Sequence, residues 1–350
     1  MKTRKQSNIL PRIRRFVDNM MGENYWFSGC GRFVMEALGE DDLDYYFFSG
    51  LTGDSFVQVF PFDRFRGDCI SDFLLSDGHA EFMTEVFARI GYSADFVLDK
   101  QVKTDKDGSL NRILDYIDRG VPVISNLEIS GKNGWLVFVG YENFGETLLF
   151  MTDNMTEPER VAASEVFAES ACGSEESRGL IFVGERFERK DRAQIYRDSL
   201  RRLPALMTIR TPRYCAGPDA FRAWADEIEG GRYEAVSPEE FERDRWYLYG
   251  NYVCILATNG TCCHDFLDRA LELNPDLTFI PELHQLYWKM ANMWEKDADG
   301  LNAIGGGFNA TLDALRDKGR RATIAAKIRE FADRADEVLA ILQAAFPDAK

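Results

Sequence analysis

The chain has 350 residues, of which 58 are Asp or Glu and 42 Lys or Arg, for a formal net charge of −16. Such an acidic surface repels phosphate backbones and anionic lipid headgroups, so nucleic acid is set aside as a partner, and no apolar run approaches the ~18 residues that span a bilayer. The hydrophobic fraction of 45%, with 26 Phe and only 11 Pro, supplies a packed interior, while the length exceeds what one core usually organises. Two folded units are therefore expected.

Seven cysteines make an odd number. They include no Cys-x-x-Cys pair, which argues against a disulfide framework and for a reducing cytoplasm. Residues 1–20 read as a basic arm: Lys2, Arg4, Lys5, Arg12, Arg14 and Arg15 stand without an acidic residue up to Phe16. Ile9, Leu10 and Ile13 are too sparse for the apolar stretch of a targeting peptide, so the arm is expected to dock on the acidic body.

From Cys30 to Leu38 the apolar residues fall at helical spacing and Gly39 closes the run, which predicts Cys30 at a helix N-terminus. A short helix is predicted over Asp42 to Phe48, then an alternating segment from Phe56 to Phe60 and irregular chain until Ser76. Helices follow at Ala80 to Ile90 and Leu110 to Ile117, with a strand at Asp95 to Leu98 between them. Three β-type runs come next, Val121 to Asn126, Trp135 to Tyr141 and Thr147 to Thr152. Their connections hold Gly131, Asn133 and Gly134, then Glu142, Asn143 and Gly145, so an antiparallel meander is predicted. Val161 to Ala171 reads as helix and Leu180 to Val183 as strand. The charged stretch Glu185 to Arg192 marks a boundary, and beyond Ala193 the pattern is helical, with Pro218, Pro238 and Pro281 at first turns. The fold class is thus α+β over 21–190, followed by an all-α domain over 191–350.

Cysteine at a helix N-terminus is the setting that favours a thiolate, because unpaired amides and the helix dipole stabilise the charge. Cys30 is the nucleophile candidate, with Gly29 and Gly31 leaving room for a substrate; the competing reading is a small core residue. A helix-leading Cys, then helices, then a hairpin ending in Gly140-Tyr141 and a strand ending at Asp153 resembles the papain-like cysteine peptidases and acyltransferases. The likeness is closest to the bacteriocin-leader-processing and butirosin-biosynthesis acyltransferase branches, the latter through Leu51-Thr52-Gly53-Asp54-Ser55-Phe56 and Val121-Pro122-Val123-Ile124. The resemblance implies Cys30 as nucleophile, Asn24 as the amide donor to an oxyanion, and Asp153 or Asn154 as the group orienting an imidazole. It places the general base at Gly134, flanked by Asn133 and Trp135, none of which takes a proton at neutral pH.

Loss of a general base forfeits ~10²–10⁴ in rate, so ordinary papain-type turnover is not expected. His79, His264 and His284 are the only histidines. His79 reads as a helix-start surface residue, His264 in Cys262-Cys263-His264 lacks a second ligand pair for a metal, and His284 lies on a helix flank. Gly305-Gly306-Gly307 lacks a Lys-Ser/Thr successor and reads as a loop, and Arg245-Trp246-Tyr247-Leu248-Tyr249, on a long helix, reads as core packing or an inter-domain face more than a cofactor box. The expected function is a degenerate papain-like site that binds a peptide or small acyl ligand, an acyl thioester among the candidates, in an aromatic cleft of Tyr25, Trp26, Phe27 and Trp135, with no metal and no cofactor. The alternative is an active cysteine acyltransferase or peptidase that borrows a histidine.

Overall fold

The computed structural model describes residues 4–62, 67–129, 134–168 and 177–348. Nine strands occur among them in chain order: β1 (Asn8–Ile9), β2 (Val59–Pro61), β3 (Tyr92–Leu98), β4 (Val123–Ser125), β5 (Leu136–Glu142), β6 (Thr147–Met151), β7 (Glu159–Ala162), β8 (Gly179–Arg186) and β9 (Tyr214–Ala216). The chain divides into two compact units, Met1–Phe48 with Leu74–Lys190, and Ser49–Phe73 with Asp191–Lys350.

The first unit is an α+β body around an antiparallel sheet in the order β3-β8-β4-β5-β6-β7. β4, β5 and β6 form the consecutive antiparallel meander, with Ile124 opposite Val137 and Phe138 opposite Phe150. Asn143 and Phe144 take positive φ in the β5–β6 turn, the left-handed backbone that a tight hairpin needs. β1 pairs antiparallel with Gly140 and Tyr141 of β5, so part of the basic arm is a strand of the sheet. The arm's charges meet carboxylates: Arg4 binds Asp115 at 2.6 Å, Arg12 binds Asp41 at 2.6 Å, and Arg14 pairs with the buried Glu36. On one face of β5, Leu136 and Phe138 pack with Ile113, Leu114 and Ile117 of the Lys106–Asp118 helix. Trp135, one residue earlier in the alternation, packs on Phe27 with ring centroids 4.8 Å apart.

The second unit is largely helical, with helices at Arg192–Met207, Pro218–Glu229, Asn251–Leu273, Ile280–Glu295 and Lys318–Ala345 among others. Pro218, Pro238 and Pro281 all stand in first turns. The unit is not wholly α: β9 pairs antiparallel with β2, Phe60 opposite Cys215, a contact between segments too far apart in sequence for local pattern to reveal. Phe56 packs on Phe266 and Tyr287 inside this unit. Three further expectations change. Residues 70–76, expected to be irregular, form a helix, and 159–162 is the strand β7 followed by a helix of only four residues where Val161 to Ala171 read as helix, its last three residues lying outside the described chain. The aromatic run Trp246–Gly250 is a π-helical turn between two α-helices, and it buries Tyr249 while Trp246 and Tyr247 stay exposed. Among the described residues no helix is long and apolar enough to cross a membrane.

Candidate functional site

The helix that carries Cys30 runs from Trp26 to Ala37. Cys30 is its fifth residue, one turn in, and so does not lead it. The reason lies in Tyr25, whose extended backbone forms the N-cap and whose N–H donates to the Tyr45 hydroxyl at 2.8 Å. The open amides of the first turn therefore belong to residues ahead of the cysteine. Cys30 has no exposed surface, and its thiol donates weakly to the Leu136 carbonyl on β5 at 3.5 Å. Burial pushes the thiol well above its ordinary pKa, opposed only by its own backbone.

The flanking glycines serve packing. A Cβ on Gly29 would lie 2.7 Å from Val17 Cγ1, and one on Gly31 2.5 Å from Phe48 Cδ1. Both neighbours occupy the space that a substrate would need. Arg32 anchors the same helix: it pairs with Glu23 at 3.3 Å and donates to the Arg15 carbonyl at 2.7 Å and to the Phe16 carbonyl. Burial raises the Glu23 carboxyl, and Arg32 opposes that rise.

Of the aromatic residues expected to line a cleft, Tyr25, Phe27 and Trp135 are interior, 2%, 1% and 5% exposed. They fill the body of the first unit, where Phe27 packs tilted on Trp135 and edge-on to Phe87. Trp26 is half-buried and lies over Gly134. Gly134 has φ +127°, and a Cβ there would lie 2.7 Å from Trp26 Cε3 and closer still to Cζ3. The position where the resemblance places an imidazole is thus covered by an indole and carries a backbone that side chains rarely adopt. Its neighbour Asn133 lies outside the described residues.

Asp153 and Asn154 follow β6 and are exposed. Asn154 donates to Asp153 at 2.9 Å and accepts from the Asn19 amide at 3.1 Å, while the Asp153 carbonyl accepts from Val17 N at 3.2 Å. They tie the 16–19 segment to the sheet. Asn24 donates to the Gly22 carbonyl at 3.4 Å. Cys30 bonds to the middle strand through the Leu136 carbonyl, while Asp153 and Asn154 bond to the 16–19 segment.

The histidines separate. In the first unit His79 is exposed and meets Glu81 at 3.2 Å. In the second, His264 and His284 face each other through their Nδ1 atoms at 3.1 Å, and His284 Nε2 bonds Asp268 at 3.0 Å. Burial, then the neighbouring His284, lowers the His264 pKa to about 4. No group of three or more His, Cys, Asp or Glu side chains among the described residues is arranged to hold a metal. Gly306, in the glycine triplet, packs on Leu301 and Ile324 and accepts from the Tyr249 hydroxyl at 2.6 Å, which makes that triplet part of a packed loop.

Sequence reasoning missed one buried polar centre. In the second unit Asp54 is fully buried and accepts from Ser71 N at 3.0 Å, Ser71 Oγ at 2.6 Å and Thr52 Oγ1 at 2.8 Å. Its signal was the Thr52-Gly53-Asp54-Ser55 run, a cluster of short polar residues that close local hydrogen bonds. No family model matches the chain, and no curated protein matches it at a significant level.

Proposed function

We propose that the chain is a papain-like-fold protein that binds a peptide or small acyl-bearing ligand and performs no thiol chemistry. The observation that carries this reading is the enclosed Cys30 thiol, buried, bonded to a strand carbonyl and held protonated by its surroundings. A nucleophilic cysteine needs access and a cation or base to sustain the thiolate. Neither is provided by the neighbours named here: Phe48 and Val17 cover the flanking glycines, and Trp26 covers Gly134. Support for the scaffold itself comes from the antiparallel β4-β5-β6 meander and the cysteine-bearing helix joined to β5.

The test is turnover of an activated acyl thioester by the parent and by Cys30→Ala. Equal background rates are expected. A burst or steady turnover in the parent that disappears in the variant, with both proteins folded, overturns the reading.

A further inference from the structure

β3 and β8 pair regularly until Ala94 meets Val183, and the next partners are Tyr92 and Arg186. Two residues of β8, Gly184 and Glu185, therefore stand opposite the single residue Ser93. This is a β-bulge, a device that bends a strand and re-aims its side chains. Ser93 Oγ donates to the Glu185 carbonyl at 3.3 Å, and any side chain at Gly184 would collide with that hydroxyl. The consequence is unusual for a strand, whose successive residues face opposite ways. Val183, Gly184, Glu185 and Arg186 all border one cleft of about 390 Å³.

The rest of the cleft lies wholly within the first unit. Leu38 and Glu40 enter it just beyond the Trp26–Ala37 helix, and Arg119 and Val121 just beyond the Lys106–Asp118 helix. Two of the four charges are already matched. Glu40, 8% exposed, accepts from the Tyr92 hydroxyl at 3.0 Å and pairs with Arg186, whose guanidinium lies 5.2 Å over the Tyr92 ring. The other two are not. Among the described residues Arg119 and Glu185 have no ion-pair partner; Arg119 rests 4.0 Å over the Tyr116 ring, and both residues are exposed. Leu38, Val121 and Val183 supply apolar wall between these charges.

We propose that this cleft binds a small zwitterion with an apolar side chain, a free α-amino acid or dipeptide, its carboxylate on Arg119 and its ammonium on Glu185. A guanidinium offers a carboxylate two parallel hydrogen bonds, and a carboxylate offers an ammonium its acceptor. A simple anion meets Glu185 as a like charge and a simple cation meets Arg119, so a ligand with both charges is the one the wall selects. The volume falls within the range of small-molecule sites. This assignment rests on the binding-protein reading and supplies its ligand class.

The experiment titrates the full chain calorimetrically with leucine, leucyl-leucine, N-acetylleucine and leucinamide. Leucine or the dipeptide should bind at least about tenfold more tightly than either single-charge analogue. Arg119→Gln should abolish the preference over leucinamide, and Glu185→Gln the preference over N-acetylleucine, with melting curves of both variants matching the parent. Equal binding of all four compounds, binding untouched by either substitution, or no binding of leucine and the dipeptide would each overturn the proposal. Absence of binding with Cys30 still inert removes the ligand class alone. Cys30-dependent acyl turnover with zwitterion binding intact removes the non-catalytic reading and leaves the cleft.

Discussion

A methyl group added at Gly31 would sit 2.5 Å from a Phe48 ring carbon, and one at Gly29 would sit 2.7 Å from Val17 Cγ1 and 3.2 Å from the Phe16 carbonyl. In an open helix Gly→Ala stabilises by about 1 kcal/mol. In a filled site overpacking costs about 1–3 kcal/mol, so the sign of the change reports what lies beside Cys30. Gly31→Ala is expected to lower the urea midpoint; a rise would mean that the helix face is open. Asp54 allows a second test at this scale. Asp54→Ala leaves Ser71 N–H and Ser71 Oγ–H without this acceptor, while Thr52 Oγ1–H still reaches the Ser49 carbonyl at 3.2 Å. Each orphaned buried donor costs about 1–3 kcal/mol, so a loss of several kcal/mol is expected by urea unfolding, and a change below about 1 kcal/mol would show that water reaches the site.

At the scale of elements, the β4-β5-β6 meander was legible because its apolar runs and hairpin residues are local signals, and the long helices of the second unit were legible for the same reason. The start of the Trp26–Ala37 helix was not. Gly29 and Gly31 read as an opening in the sequence, yet they lie within the helix, and Val17 and Phe48 pack where their side chains would be. Gly134 was legible as the missing base and illegible as a contact, since nothing in its own neighbourhood of sequence announces the Trp26 ring. Strands β1 and β9 are two and three residues long and owe their existence to distant partners, so no periodicity marked them, whereas β2 overlaps the alternating segment Phe56 to Phe60. The basic arm yields a prediction here. Docked by the short strand β1 on β5, by the Arg12–Asp41 and Arg14–Glu36 pairs and by Arg32 on the Arg15 carbonyl, it should resist trypsin at Arg12, Arg14 and Arg15 under native conditions. Cleavage there as fast as in the unfolded chain would contradict the docking of the arm on the first unit.

Over the whole molecule, pH acts through buried groups of opposite habit in the second unit. Burial raises Asp54 to about 6. Burial and the nearby Asp72 raise Asp68 to about 7, its Oδ1 being buried without a hydrogen-bond partner although the residue keeps some exposed surface. A carboxyl whose folded pKa exceeds its unfolded value binds its proton more tightly when folded. Its contribution is present at low pH and is lost as pH rises from about 4 through the folded value. His264, lowered to about 4, acts in the opposite sense: its contribution is present above about 6.5 and is lost as pH falls toward 4. Asp68→Asn should therefore raise stability above pH 7 relative to the parent, with the difference shrinking toward pH 4. A constant difference across that window in urea midpoints would contradict the raised carboxyl.

The most direct measurement is the pH dependence of alkylation at Cys30, read by peptide mapping of the folded protein against the same chain in denaturant. Complete burial and the hydrogen bond to the Leu136 carbonyl imply a thiol protected until the chain opens. The expected result is no detectable native labelling of Cys30 across neutral pH and prompt labelling once unfolded. Rapid native labelling with an apparent pKa below the ordinary ~8.5 of a free thiol would contradict the account, because it would place an accessible thiolate where the structure encloses a thiol.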